Sequence, residues 1–168
     1  MSDESQGPGK GVFFDRVSNK VTILQSVTFE MIHDLLSASG SEVTYMLLPE
    51  GFPIAECSID GVNFSAMLLQ KDGSPVESVE QEGETIIFRL VLAAPEETPP
   101  ATVLEASNQW NIEHISGRSF FEDDRLYYEF RIPLGGVTAD YFEDHLFEWY
   151  DTMVDFIHFV VGHCGSTD

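Results

Sequence analysis

The chain has 168 residues, 29 of them acidic and 8 basic, for a formal net charge of −21. That balance argues against nucleic acid as a partner, because a phosphate backbone is bound by Lys and Arg that neutralise it, and equally against an anionic membrane surface. A hydrophobic share of 43% with thirteen Phe supplies the core of one ordinary domain, so the charge is read as solubility or as steering towards a basic partner.

Residues 1–11 are polar and rich in Ser, Gly and Pro, which predicts a disordered tail ahead of a single domain over 12–163. No basic region followed by an apolar run opens the chain, so no signal peptide is expected. No apolar run reaches the ~18 residues of a membrane span. Cys57 and Cys164 are far apart and make no disulfide framework, and the chain reads as cytoplasmic. Val12-Phe13-Phe14 and the run from Val21 to Leu24 are short apolar stretches, each a strand or an extended arm.

Thr28 to Ser39 reads as the first helix. Phe29, Ile32, Leu35 and Leu36 share one face, Thr28 is the N-cap, Glu30 suits the first turn, and Gly40 stops the helix. Strands are expected from Val43 to Leu48, from Pro53 to Ile59 and from Val62 to Leu69, with Asp60-Gly61 as a two-residue hairpin turn. Lys71 to Glu84 reads as a polar loop long enough to vary freely. Thr85 to Leu92 is β-branched and apolar, hence a central strand, and Ala93 to Pro100 is a connector. A second helix runs from Ala101 to His114, with Val103 or Leu104, Ser107, Trp110 and Asn111 along one side.

Arg118 to Glu122 and Leu126 to Ile132 form a hairpin around Asp123-Asp124. Leu126, Tyr128, Phe130 and Ile132 share one face of the second arm, and Tyr127, Glu129 and Arg131 the other. The third helix is expected from Ala139 to Val161, capped by Thr138. Phe142, Leu146, Trp149, Met153, Phe156 and Val160 form one apolar stripe. Phe147, Tyr150, Val154, Ile157 and Val161 form a second, about 100° further round, while Asp144, Glu148, Asp151 and Asp155 line the opposite side. One stripe suffices to pack on a sheet. The second needs another surface, which is either another helix of the same chain or another subunit. Helices bracketing hairpin-linked strands indicate an α+β, two-layer fold.

The order of these pieces resembles the YbjN family of bacterial sensory transduction regulators, over roughly Thr28 to Val161. The matching residues are Asn108, Trp110 and Asn111 late in a helix, and Gly117-Arg118 opening a strand. An acidic turn at Asp123-Asp124, a strand with Glu129, and Gly135-Gly136-Val137-Thr138 before the last helix complete the set. The Lys71–Glu84 loop and the acidity depart from the family pattern. The resemblance implies a twisted antiparallel sheet with three helices, like the class I type III secretion chaperones, often dimeric and with a regulatory or chaperone-like role rather than a chemistry.

Asn108, Trp110 and Asn111 are either a recognition spot or, with the amides bonding backbone at the helix end and the Trp filling core, structural. Arg118 either binds an anionic group or pairs with Glu122 or Glu129 across the hairpin. Gly135-Gly136 lacks the Lys of a phosphate loop and reads as a turn. His158 and His163 are five residues apart, about 140° round a helix, so with Cys164 they make no metal site. Nothing places a base beside Cys57, which reads as a buried thiol. No catalytic residue, metal or cofactor is predicted. The expected function is a non-catalytic, chaperone-like regulatory domain that binds partner polypeptide segments, without nucleic acid or membrane partners. The alternative is a ligand-sensing regulator with a small apolar pocket between sheet and helices. A homodimer is expected, with Phe147, Tyr150, Val154, Ile157 and Val161 at the interface.

Overall fold

The computed structural model describes residues 23–94 and 97–165. The expected tail and the run Val12-Phe13-Phe14 lie outside them. Among the described residues the chain forms eight strands and three helices. β1 (Ile23–Leu24) leads into α1 (Phe29–Ala38), where the Thr28 hydroxyl accepts from the Met31 N–H at 3.4 Å. The helix ends at Gly40, whose φ of +94° suits the left-handed stop.

β2 (Glu42–Leu47), β3 (Pro53–Ile59), β4 (Val62–Leu69) and β5 (Thr85–Ala93) then run as an antiparallel meander. The β3–β4 turn has Asp60 at φ +50° and Gly61 at +80°, the paired positive values of a hairpin turn whose twist matches its strands. α2 (Pro100–Glu113) crosses back, β6 (Arg118–Glu122) and β7 (Arg125–Pro133) form the second hairpin, and β8 (Val137–Thr138) opens α3 (Ala139–Cys164).

The main sheet is antiparallel throughout, in the order β2-β3-β4-β5-β7-β6, and β5 is interior as its composition predicts. β1 and β8 make a separate two-stranded ladder. The architecture is α+β, with the buried side chains of all three helices packed on one face of the sheet. Trp149 of α3 stacks on Phe88 at 5.4 Å and on Tyr128 at 5.6 Å, and Trp110 of α2 meets Phe156 edge-on at 5.0 Å. The first stripe of α3 is buried along its whole length, each large side chain contributing about 1.5–3 kcal/mol by leaving water.

Two expectations need correction, and one left open is decided. The Lys71–Glu84 loop does not vary freely: Val76 is fully buried, its N–H bonds Leu68 O at 3.0 Å, and Gly83 exchanges both backbone bonds with Val27. Val76 and the partly buried Val79 dock this otherwise polar run on the core. α3 continues three residues past Val161 to Cys164, because Val160 and Cys164 keep the buried stripe going. In α2 it is Val103 that is buried, together with Ala106, while Leu104 is exposed.

Candidate functional site

The residues singled out in the sequence fall into two groups. The first knits α2, β6 and α3 together. Trp110 is buried and stacks on His114 at 3.5 Å. The Asn111 amide donates to Ser119 O and accepts from the Ser119 N–H, both at 2.8 Å, so it bonds a strand rather than the helix end. Ser107 and Ser119 share a buried hydroxyl pair at 2.9 Å. Asn108 is exposed, and its side chain bonds none of the described residues. Gly117 has φ +75° and lies against the Tyr128 ring, whose hydroxyl donates to Ser116 O at 3.0 Å. Gly135 and Gly136 turn the chain, Gly136 at φ +82°, and the Thr138 hydroxyl accepts from the Tyr141 N–H at 3.1 Å.

The second group is the outer stripe of α3, which the structure divides. Tyr150 and Ile157 are half-buried against the core, and the Tyr150 hydroxyl meets Ser39 at 2.8 Å and Ser41 at 3.1 Å beside α1. Phe147, Val154 and Val161 are 58%, 41% and 62% exposed. The segment just after α1, with Phe64 of β4, therefore covers Tyr150, while Phe147, Val154 and Val161 stay exposed among the described residues.

The two edges of the main sheet differ in a way the sequence does not display. β6 is closed by the two-residue turn Asp123-Asp124, so Glu122 and Arg125 form a bonded pair and, by alternation, the Ser119 backbone points outward. The Asn111 amide takes both outward Ser119 groups, which covers that edge at Ser119, while Phe121 also points outward. At the other edge the Leu48 N–H bonds Phe52 O at 2.9 Å. The same alternation turns the N–H and C=O of Val43, Tyr45 and Leu47 away from β3. They bond no described residue. β2 has no Pro, no Lys and an unbroken register, so it lacks the usual guards of an edge strand. Tyr45, Met46 and Leu47 are exposed, Leu47 at 65%.

The sheet face turned away from the helices has its own chemistry. Glu129 lies between Arg89 on β5 and Arg118 on β6 in the strand register. It is 8% exposed. Arg89 grips one carboxylate oxygen, with Nε at 2.8 Å and Nη2 closer still, and Arg131 approaches the other at 3.6 Å. The pairing expected of Arg118 with Glu122 or Glu129 is not formed, because Arg89 and Arg131 already occupy Glu129; Arg118 has no ion pair among the described residues. Beside them Phe120 and Tyr127 stack at 4.8 Å, and the Arg89 guanidinium lies over Tyr127 at 5.9 Å.

Both cysteines are buried in the core. Burial, then Glu56, pushes the Cys57 thiol up to about 12, and burial raises Cys164. Burial, then Asp34, pushes the Tyr45 phenol to about 12 as its hydroxyl donates to Phe29 O at 2.5 Å. His163 stacks on Phe159 at 4.1 Å. Among the described residues no three His, Cys, Asp or Glu side chains are grouped to hold a metal ion, and no helix is long and apolar enough to cross a membrane.

Comparison with known families matches residues 28–161 to the YbjN family, described as "Putative bacterial sensory transduction regulator". No curated protein matches the chain.

Proposed function

The chain belongs to the YbjN family of sensory transduction regulators, and from that premise we propose that it regulates by holding an extended segment of a partner protein, without catalysing a reaction. The observation that carries the reading is the open edge at β2. Three outward N–H and C=O pairs, at Val43, Tyr45 and Leu47, bond none of the described residues and can take a seventh strand, while at the opposite edge Asn111 holds both outward Ser119 groups. Strand addition takes its affinity from such main-chain bonds and its selectivity from alternate side chains, here Tyr45 and Leu47 on one side and Met46 on the other. The proposal is thus chaperone-like in action, in a cytoplasmic homodimer. The ligand-sensing alternative requires apolar space between sheet and helices, where Trp149 is stacked on both Phe88 and Tyr128; this packing favours the polypeptide reading.

Leu47→Pro tests it. The Leu47 N–H points away from β3, so proline there spares the β2–β3 ladder and blocks an incoming strand. On an array of short random-sequence peptides the native chain is expected to retain a subset rich in β-branched and aromatic residues. Leu47→Pro, with unchanged melting, is expected to lose that subset by tenfold or more. Equal retention by both proteins would refute strand addition at β2.

A further inference from the structure

We infer that the open sheet face around Glu129 is a docking site for an acidic polypeptide segment, separate from the β2 edge. The described residues include five basic side chains, Lys71, Arg89, Arg118, Arg125 and Arg131. Strand alternation and register put all four arginines on this one face of β5, β7 and β6, and leave only Lys71 elsewhere. A protein of net charge −21 thereby gathers the four arginines of its described residues on one face.

The balance within the cluster leaves charge to spare. Glu129 is the carboxylate at its centre, and Arg89 and Arg131 already serve it. Arg118 flanks Glu129 on the other strand with no ion pair among the described residues, and Arg125 has none either, although Glu122 is its register partner. Around Glu129 three guanidiniums, Arg89, Arg118 and Arg131, thus face one carboxylate, while at the far end of the hairpin Arg125 sits beside Glu122 and the turn acids Asp123 and Asp124.

The shape of the surface selects the ligand. Small anions are held in clefts, and this is the face of a sheet. Arg118 and Arg89 sit two strand spacings apart, about 10 Å, and Arg131 is about 7 Å from Glu129 along β7. An extended peptide repeats its same-side residues every ~7 Å, so alternate acidic side chains match this grid. The Phe120–Tyr127 stack beside it offers a shelf for an apolar side chain. The overall negative charge repels long polyanions at a distance, whereas the patch acts within the ~8 Å screening length of physiological salt. A short acidic segment with an apolar anchor meets both conditions, and a nucleic acid strand does not. In the sheet order β2 stands at the far end, with β3, β4 and β5 between it and β7.

The test is fluorescence anisotropy of the full chain with a labelled peptide of about twelve residues, made of Asp and Glu with two Leu, and its Asn/Gln counterpart. The acidic peptide is expected to bind at least tenfold tighter, and added salt to weaken it. Arg118→Gln and Arg125→Gln, which break no ion pair among the described residues, are each expected to weaken it three- to tenfold. Lys71→Gln and Leu47→Pro should leave it unchanged. The inference would be overturned by equal binding of the two peptides, no effect of the arginine variants, an equal loss with Lys71→Gln, or equally tight binding of a single-stranded oligonucleotide. Loss with Leu47→Pro would move the acidic segment to β2 and equally defeat it. Loss of array binding there with acidic-peptide binding intact would support both sites independently.

Discussion

At Gly117 the backbone has φ +75°, and a Cβ would lie 2.5 Å from the Tyr128 ring, which is itself fully buried. Alanine there meets both the left-handed penalty and an overpacked neighbour. Gly117→Ala is expected to cost about 2–5 kcal/mol by denaturant titration, whereas Gly136→Ala, where no atom lies within 4 Å, should cost only about 1–2 kcal/mol. A second residue-scale expectation concerns alkali. Cys57 and Tyr45 are acids whose neutral forms the fold favours, raised from 9.0 and 10.0 to about 12. Their stabilisation is fully present below the unfolded values and is lost as pH rises towards 12. Thermal melts are therefore expected to fall progressively above about pH 9, and less steeply in Tyr45→Phe; a flat profile up to pH 11 would contradict the assignment. The sequence showed Gly117 only as the residue that opens a strand with Arg118. It could not show the Tyr128 contact, which depends on which strand lies beside it. The same holds for Glu129, which alternation places on the outer face but whose burial comes from neighbouring guanidiniums.

Elements that carry their own period were legible. The faces of β7 and the inner stripe of α3 read directly from steps of two and of three and four, and the hairpin turns from their Asp and Gly residues. β1 and β8 have two residues each, too few for any period, and exist only because distant segments meet. The two sheet edges were illegible for a related reason: whether a backbone group is free depends on what approaches it, and Asn111 approaches β6 from another element. The Asp123-Asp124 turn gives a prediction at this scale. Both residues have positive φ, +49° and +57°, where a hairpin prefers glycine at the second position. They also place two negative charges next to Glu122. Asp124→Gly is expected to stabilise the protein by about 0.5–1 kcal/mol, seen as a higher denaturant midpoint with an unchanged slope. A lower midpoint would mean that the aspartate makes a compensating contact in the turn.

For the whole molecule, the outer stripe of α3 bears on assembly. Phe147, Val154 and Val161 recur every seven residues, with Tyr150 and Ile157 between them, which is the spacing of a two-helix seam. At 1.5 Å per residue the exposed line is about 21 Å long. Tyr150 is held by Ser39 and Ser41, so the chain covers the inner half of the stripe and the exposed half is left for another surface. A second copy offers the same line, and a twofold contact would hide both at once. Electrostatics opposes it. Asp144, Asp151 and Asp155 are exposed on the same helix, and each subunit carries −21. Because that repulsion is screened over about 10 Å at 0.1 M salt and about 3 Å at 1 M, while the apolar contact is not weakened by salt, association should strengthen as salt rises. Light scattering at tens of micromolar protein is expected to give a mass moving from monomer towards dimer between low and high salt. Phe147→Glu or Val154→Glu, on exposed positions, should keep the fold and hold the protein monomeric throughout. A monomer mass for the native chain at every salt concentration would defeat the homodimer and leave the exposed line of α3 to a different partner.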